Sequence, residues 1–272
     1  MQSFTNKVVV ITGAASGIGQ ALAQQLSKDG AHLALSDVNM SGLEETRASL
    51  IGPGKVTLHS LDVADRSAWE SYAETVVNEH GQVDAIINNA GVALSETIEK
   101  MSYKDMEWIV GINFWGVVYG TKTFLPYLKQ RPEAAIINIS SIFGIIALPT
   151  QGAYNATKFA VRGFTESLRQ ELKNTNIMVT TVHPGGIKTN IVRNGRINTS
   201  FMGKQSQEEQ HQNFKQNVRT SAPQAANIIL NGTIKGKRRI LIGADARLMD
   251  RIQRFLPTRY TDLFGWVLRK IA

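Results

Sequence analysis

The feature that most restricts this chain is a glycine turn set between a strand and a helix. Directly after the apolar run Val8–Ile11 the sequence reads Thr12-Gly13-Ala14-Ala15-Ser16-Gly17-Ile18-Gly19, and Gln20-Ala21-Leu22-Ala23-Gln24-Gln25-Leu26 follows with helical period. A strand, a glycine loop and a helix in that order bring backbone amides and the positive end of a helix dipole to one point, which suits a pyrophosphate. Gly13 then serves the tight turn, Gly17 the close approach of phosphate, and Gly19 the packing of helix on sheet. A plain glycine turn would carry the same letters, so the context must decide.

The context is a repeated alternation. Short runs rich in Val, Ile and Leu, near Val8–Ile11, Leu33–Ser36, Val56–Ser60, Ala85–Ile87, Ala135–Ile139, Met178–Val182 and Arg239–Ile242, read as strands. Between them, Gly17–Asp29, Gly42–Leu50, Ser67–Glu79, Trp108–Gln130, Ala153–Lys173 and Pro223–Ile234 have helical period. The succession predicts an α/β fold with a doubly wound parallel sheet, Rossmann-like, of about seven strands with helices on both faces. At 272 residues, 43% of them hydrophobic and 19% charged, the chain is long enough for one large domain. No repeat or linker divides it, and residues 1–243 are assigned to that domain.

Other classes are disfavoured by what the sequence lacks. With no cysteine there are no disulfides and no thiolate metal ligands, and no metal site is expected. The first residues do not form a signal peptide, and no stretch approaches the roughly 18 apolar residues that span a bilayer; a cytoplasmic location is expected. The formal charge of +8 is spread along the chain and has no aromatic residues interleaved with it, which speaks against nucleic acid.

Asp37 follows Gly19 by eighteen residues, at the end of the second strand. A carboxylate there can accept hydrogen bonds from both hydroxyls of an adenosine ribose, and it would repel a 2′-phosphate. Ser16 before Gly17, and Val38 and Asn39 after Asp37, supply no cation to offset that repulsion. NAD(H) is therefore expected over NADP(H), with a turn or capping aspartate as the simpler alternative.

The spacing of Gly13, Gly17 and Gly19, with Asp62-Val63, Asn88-Asn89-Ala90-Gly91 and Tyr154-Asn155-Ala156-Thr157-Lys158, resembles the short-chain dehydrogenase/reductase family over roughly Lys7 to Gly243. Each motif is common alone; their order together is specific. The resemblance implies that Ser16, Ile18 and the loop glycines hold the cofactor, that Asp62 and Val63 bind adenine, and that Asn89 and Ala90 line the ribose. Asn88 is as well explained by tying the fourth strand to its neighbours. Pro184-Gly185-Gly186-Ile187-Lys188-Thr189 resembles the loop cradling nicotinamide, through the Ile187 backbone and the Thr189 hydroxyl. The family often has Asn where this chain has His183, which reads as a strand-end histidine.

Hydride exchange between an alcohol and nicotinamide requires a group that gives or takes the hydroxyl proton near neutral pH. A free tyrosine, with a pKa of about 10, is a poor base at that pH. Lys158 lies four residues beyond Tyr154 in a helical segment, so the ammonium can stand by the phenol; with an oxidised nicotinamide added, the phenolate is favoured. The resemblance gives Lys158 the nicotinamide ribose as well. Ser141, thirteen residues before Tyr154, is placed to polarise the substrate oxygen. Strand alternation allows only one of Ser140 and Ser141 to face the site, and family spacing selects Ser141. Asn113 matches the family asparagine that bends its helix and anchors a water leading from Lys158.

Residues 190–218 fall where the family keeps its variable substrate lid, and their polar composition predicts mobility before ligand binds, with Phe201, Met202 and Phe214 as isolated apolar points. Val92, Ile142, Phe143, Ile145, Ile146 and Leu148 are expected to give an apolar pocket for a lipophilic alcohol or carbonyl small-molecule substrate. Residues 244–272 form a basic amphipathic extension, with six Arg or Lys against three Asp, in two pieces broken by Pro257. It is expected to pack over the pocket or a sister subunit, with peripheral membrane contact as the other reading. The resemblance implies a homodimer or homotetramer. The rival assignments are an NADP-linked 3-ketoacyl-type reductase and a non-catalytic dinucleotide sensor.

Overall fold

A computed structural model of the chain describes residues 1–199, 212 and 218–262. Strand β1 (Val8–Thr12) buries all of its side chains, and alternation sorts them: Val9 and Ile11 enter one apolar cluster, Val8 and Val10 another. A strand this apolar on both sides belongs inside a sheet covered twice. The other strands of the same sheet are β2 (His32–Asp37), β3 (Val56–Ser60), β4 (Ala85–Asn88), β5 (Ala134–Ile139), β6 (Ile177–Pro184) and β7 (Arg239–Ile242). They form one seven-stranded sheet, ordered β3-β2-β1-β4-β5-β6-β7 and parallel at every pairing. All seven expected strands are present within two residues of their expected ends.

Helices α1 (Gly17–Lys28) and α2 (Met40–Ala48) cover one face of this sheet, together with α7 (Ala222–Ile234), through Leu22, Leu26, Leu43 and Ile229. On the other face α3 (Arg66–His80), α5 (Gly116–Lys129) and α6 (Gly152–Glu171) bring Trp69, Phe124 and Leu168 against the sheet. Trp69, Tyr72 and Phe124 meet edge to face, the arrangement aromatic quadrupoles favour. Crossovers run one way from β1 to β3 and the other way from β4 onward. The C-terminal ends of β1 and β4 therefore border a crevice at the point of reversal.

One expected element differs. The segment read as a single helix over Trp108–Gln130 starts earlier, as α4 (Tyr103–Val110), with the Ser102 hydroxyl accepting the Asp105 amide at 3.1 Å. It then widens into a π-turn over Gly111–Trp115 before continuing as α5. The cause is Asn113, fully buried, whose Oδ1 accepts the Val92 amide at 2.8 Å while its Nδ2 donates to the Val92 carbonyl at 2.9 Å. The wider turn swings this side chain off the helix to hold the segment after β4.

Beyond β7 the extension begins as α8 (Ala244–Phe255), and no helix among the described residues is long and apolar enough to cross a membrane. Residues 200–211 and 213–217, which include Phe201, Met202 and Phe214 of the expected lid, lie outside the described residues, as does the second piece of the extension from Leu263.

Candidate active site

The loop after β1 is shaped by the segment that leaves β4. Thr12 Oγ1 accepts the amides of Asn89 and Ala90, each at 3.0 Å, and Asn89 Nδ2 donates to the Thr12 and Gly13 carbonyls at 2.9 and 3.1 Å. The approach is so close that a Cβ on Gly13, whose φ is +65°, would stand 2.8 Å from Ala90 Cα. Gly19 lies beneath the loop, where a Cβ would strike the Gly13 carbonyl; it does not border the cavity and acts through packing.

A cavity of about 960 Å³ opens along this edge. One end is bordered by Gly13, Ser16, Gly17 and Ile18 from the loop and by Asp37, Asp62 and Val63 at or just past the ends of β2 and β3. Asn89 and Ala90 face its middle, and Ile187 and Thr189 its far end. Asp37 already holds the turn, because its carboxylate accepts the Ala15 amide at 3.1 Å and the Asn39 amide at 3.0 Å. Those bonds leave further lone pairs for hydroxyl groups. Asn88 is buried away from the cavity and donates to Asn138 at 2.8 Å and Thr121 at 3.1 Å, which is the structural alternative.

The start of α1 has the chemistry of an anion site. Asn39, Asp65, Ser102 and Ser221 cap α2, α3, α4 and α7 with their side chains, whereas Ser16 gives α1 no side-chain cap and its first turn has no acidic residue. Free amides at a helix N-terminus beside a cavity fit a pyrophosphate. A Cβ on Gly17 would point across that space to the Thr189 side chain, 3.3 Å away. The residues present thus fit a dinucleotide.

Tyr154 and Lys158 project from one face of α6 into the same cavity, with Lys158 Nζ 5.6 Å from the centre of the phenol ring. Ser141, two residues past β5, borders the same cavity, and its Oγ accepts the Phe143 amide at 3.1 Å. Ser140 also borders the cavity, with its hydroxyl donating to the Lys158 carbonyl at 2.8 Å. Lys158 Nζ donates to the Ile139 carbonyl at 3.1 Å. Asn113 does not border the cavity; its Nδ2 reaches Thr157 at 3.3 Å and its oxygen stands close to Gly91, as does Lys158 Nζ. It stands behind the cavity wall and ties the π-turn before α5 to the segment after β4 through Val92.

Burial sets the proton chemistry of the protein alone. It pushes the Tyr154 phenol up to about 12, opposed in part by the nearby Ser141 hydroxyl, and it pulls the Lys158 ammonium down to about 8. The phenol is therefore a weaker acid here than in water, and the lowered pKa expected of it needs a positive charge from outside the chain.

The substrate end of the cavity is bordered by Val92, Ile142, Phe143 and Leu148, as expected, and by Ile191, Val192 and Ile197 from the start of the lid. Ile145 and Ile146 are a correction. They are buried instead against Ala246 and Tyr260 of the extension, because the short helical turn Ile142–Gly144 rotates them away from the site. Sequence reasoning also missed Ser95 and Gln151, which add polar groups to the cavity, and Asp245 and Met249 of α8, which border it from beyond β7. The amphipathic pattern of the extension was the only signal for the last two.

Comparison with known proteins agrees with this geometry. The family model for short chain dehydrogenases matches residues 7–199. The protein named "Putative oxidoreductase SadH" in Mycobacterium tuberculosis is 45% identical over 268 residues, which is 97% of this chain and 95% of that protein. The 3-oxoacyl-[acyl-carrier-protein] reductase FabG of Thermotoga maritima is 36% identical over 184 residues, covering 67% of this chain and 75% of that one. Among solved structures, a short-chain dehydrogenase/reductase from Burkholderia phymatum in complex with NAD superposes with a TM-score of 0.84 at 28% identity, covering 93% of this chain and 95% of that chain.

Proposed function

Because this chain belongs to the short-chain dehydrogenase/reductase family and is an oxidoreductase of that family, we propose that it interconverts a lipophilic alcohol and its ketone or aldehyde with NAD(H). Tyr154 is the proton donor and acceptor, Lys158 and Ser141 assist it, and Asn113 positions the group. The observation that carries the reading is the meeting of Tyr154, Lys158 and Ser141 in one cavity with the uncapped N-terminus of α1.

When bound, the nicotinamide supplies or takes the hydride and, oxidised, brings a positive charge to the pocket. The chain's own residues do the rest. Ser141 holds the substrate oxygen next to the Tyr154 hydroxyl, so that a proton passes between phenol and alkoxide as the carbon changes oxidation state. Lys158 stabilises the phenolate from the side and would also hold the nicotinamide ribose of the cofactor. Gly17, Ile18 and the first amides of α1 take the pyrophosphate, Asp62 and Val63 the adenine. Asp37 accepts the ribose hydroxyls, and the neutral Ser16, Val38 and Asn39 beside it favour NAD(H) over NADP(H). Apolar side chains dominate the substrate end, and among the described residues no Arg borders the cavity, which supports a lipophilic substrate.

The decisive experiment is Tyr154→Phe, assayed with NADH over a panel of carbonyls while NADH binding is measured in parallel. Turnover is expected to fall by about 10³-fold or more with binding almost unchanged. Normal turnover in the variant would remove Tyr154 from the chemistry, and equal rates on polar sugars and lipophilic ketones would remove the substrate class.

A further inference from the structure

We propose that Asp245, in the first turn of α8, is a positioning residue that fixes the nicotinamide end of the cofactor site by clamping the Gly185-Gly186 turn from outside. The inference rests on the proposed dinucleotide site and adds to it a residue beyond the matched residues 7–199.

Both amides of that turn are tied to the last part of the chain. Gly185 N donates to the Ile242 carbonyl at 2.9 Å, and Gly186 N donates to Asp245 Oδ2 at 2.7 Å. The backbone closes tightly around the carboxylate: a Cβ built on Gly185, or on Gly243 with its φ of +99°, would collide with the Asp245 carboxyl oxygens. Asp245 lies in the first turn of α8, where a carboxylate is favoured by the helix dipole. Its oxygen nevertheless serves a loop 59 residues earlier in the chain. The N-cap Gly243 provides no side-chain cap, so the carboxylate links the helix start to the turn.

The turn needs such a clamp. Two adjacent glycines carry the largest backbone entropy of any pair, and they lead directly into Ile187 and Thr189, which border the far end of the cavity. A hydrogen bond from a fixed carboxylate to the second amide limits the conformations from which those two residues must be drawn. The clamp is itself anchored, since Asp250, one turn further along α8, accepts two hydrogen bonds from Arg239 of β7, at 2.6 and 3.2 Å. Past the same helix, Tyr260 Oη accepts the Ala147 amide at 3.1 Å, on the segment that runs on from Ser141. The adenosine end stays out of reach, because Asp37 and Asp62 end strands on the opposite side of β1.

The test compares NADH with ADP-ribose, which has the same adenosine and pyrophosphate but no nicotinamide. For Asp245→Ala the Kd of NADH is expected to rise about tenfold, the loss of one charge-assisted hydrogen bond, while that of ADP-ribose changes less than about twofold. Asp245→Asn, which keeps an acceptor for Gly186 N, is expected to restore NADH to within about threefold of the original protein. If Asp245→Ala does not fold, Asp245→Ser, too short to reach the turn but able to serve the helix start, carries the same comparison. Equal weakening of both ligands, or no weakening of either, overturns the clamp. Failure of the unaltered protein to bind NADH overturns instead the dinucleotide reading on which it stands.

Discussion

Acid should destabilise this protein through a histidine that the chemistry does not use. His183, at the end of β6, is fully buried, and its Nδ1 donates to the Ser141 carbonyl at 2.9 Å, since a carbonyl can only accept. Nε2 is buried with no partner among the described residues. Burial pulls the ring from 6.5 down to about 4; Arg239 and Arg162 add to this, while the Ser141 carbonyl and Glu166 oppose it. The native state thus refuses a proton that the unfolded chain takes up. The contribution of neutral His183 is complete above about pH 6.5 and is lost as pH falls toward about 4, with the loss reaching about 2 kcal/mol at pH 5. In His183→Asn the amide nitrogen can take the place of Nδ1 and keep the bond to Ser141. The variant loses ring atoms, at a cost of about 1–2 kcal/mol, and its amide oxygen takes over from Nε2 as the buried unpaired atom. Urea unfolding near pH 7.5 should then find the variant about 1–2 kcal/mol less stable, and by pH 5 the variant should have gained about 2 kcal/mol relative to the parent. His80, also pulled down to about 4 by burial, titrates in both and cancels. Identical loss of stability between the two pH values in parent and variant would refute the assignment.

Two further perturbations separate packing from binding at the adenosine end. Gly17→Ala and Gly19→Ala differ in what the new methyl meets: at Gly17 it faces Thr189 across the cavity with φ at +59°, and at Gly19 it strikes the Gly13 carbonyl. Thermal melts should show Gly17→Ala destabilised by only about 1–2 kcal/mol while NADH titration shows binding reduced at least about tenfold. Gly19→Ala should lose more than about 3 kcal/mol of stability; a stable, tightly binding Gly17→Ala protein would contradict the pyrophosphate assignment. Asp37→Ala should raise the kcat/KM ratio of NADPH to NADH by about tenfold or more, through removal of one charge and of the ribose acceptor. An unchanged ratio in steady-state assays would leave Asp37 as a turn residue only, bonded to Ala15 and Asn39.

How much of the molecule was readable in its sequence depended on the range of the interaction involved. Strands such as β1 announce themselves because burial on both faces demands an unbroken apolar run, and Tyr154 and Lys158 are paired by the helix that carries both. The glycine loop was readable for the same reason, although the sequence did not reveal that Gly13 is required by Ala90 as much as by its own φ. Ile145 and Ile146 were misplaced because a single helical turn after Ser141 rotates the next residues, and hydropathy does not distinguish a pocket wall from a core. The bend at Asn113 was legible only through the family resemblance, since the Val92 backbone that holds its side chain lies 21 residues away in another segment.

Range also explains why the half of the cavity proposed to hold adenosine was the easier half to read. Its parts come from consecutive strand ends, β1, β2, β3 and β4, each marked by a short motif within a few residues of an apolar run. The nicotinamide and substrate half is assembled from β5, β6, the lid and α8, so its geometry depends on contacts such as Gly186 to Asp245 and Ala147 to Tyr260, the second of them 113 residues apart. No local pattern encodes such a pair, because a carboxylate at a helix start and a glycine in a turn each have an adequate local explanation. The two halves should therefore respond separately. Substitutions on α8 should alter nicotinamide placement and substrate choice while the grip on adenosine stays constant, since Asp37 and Asp62, proposed to hold adenosine, lie across β1 from β7 and α8.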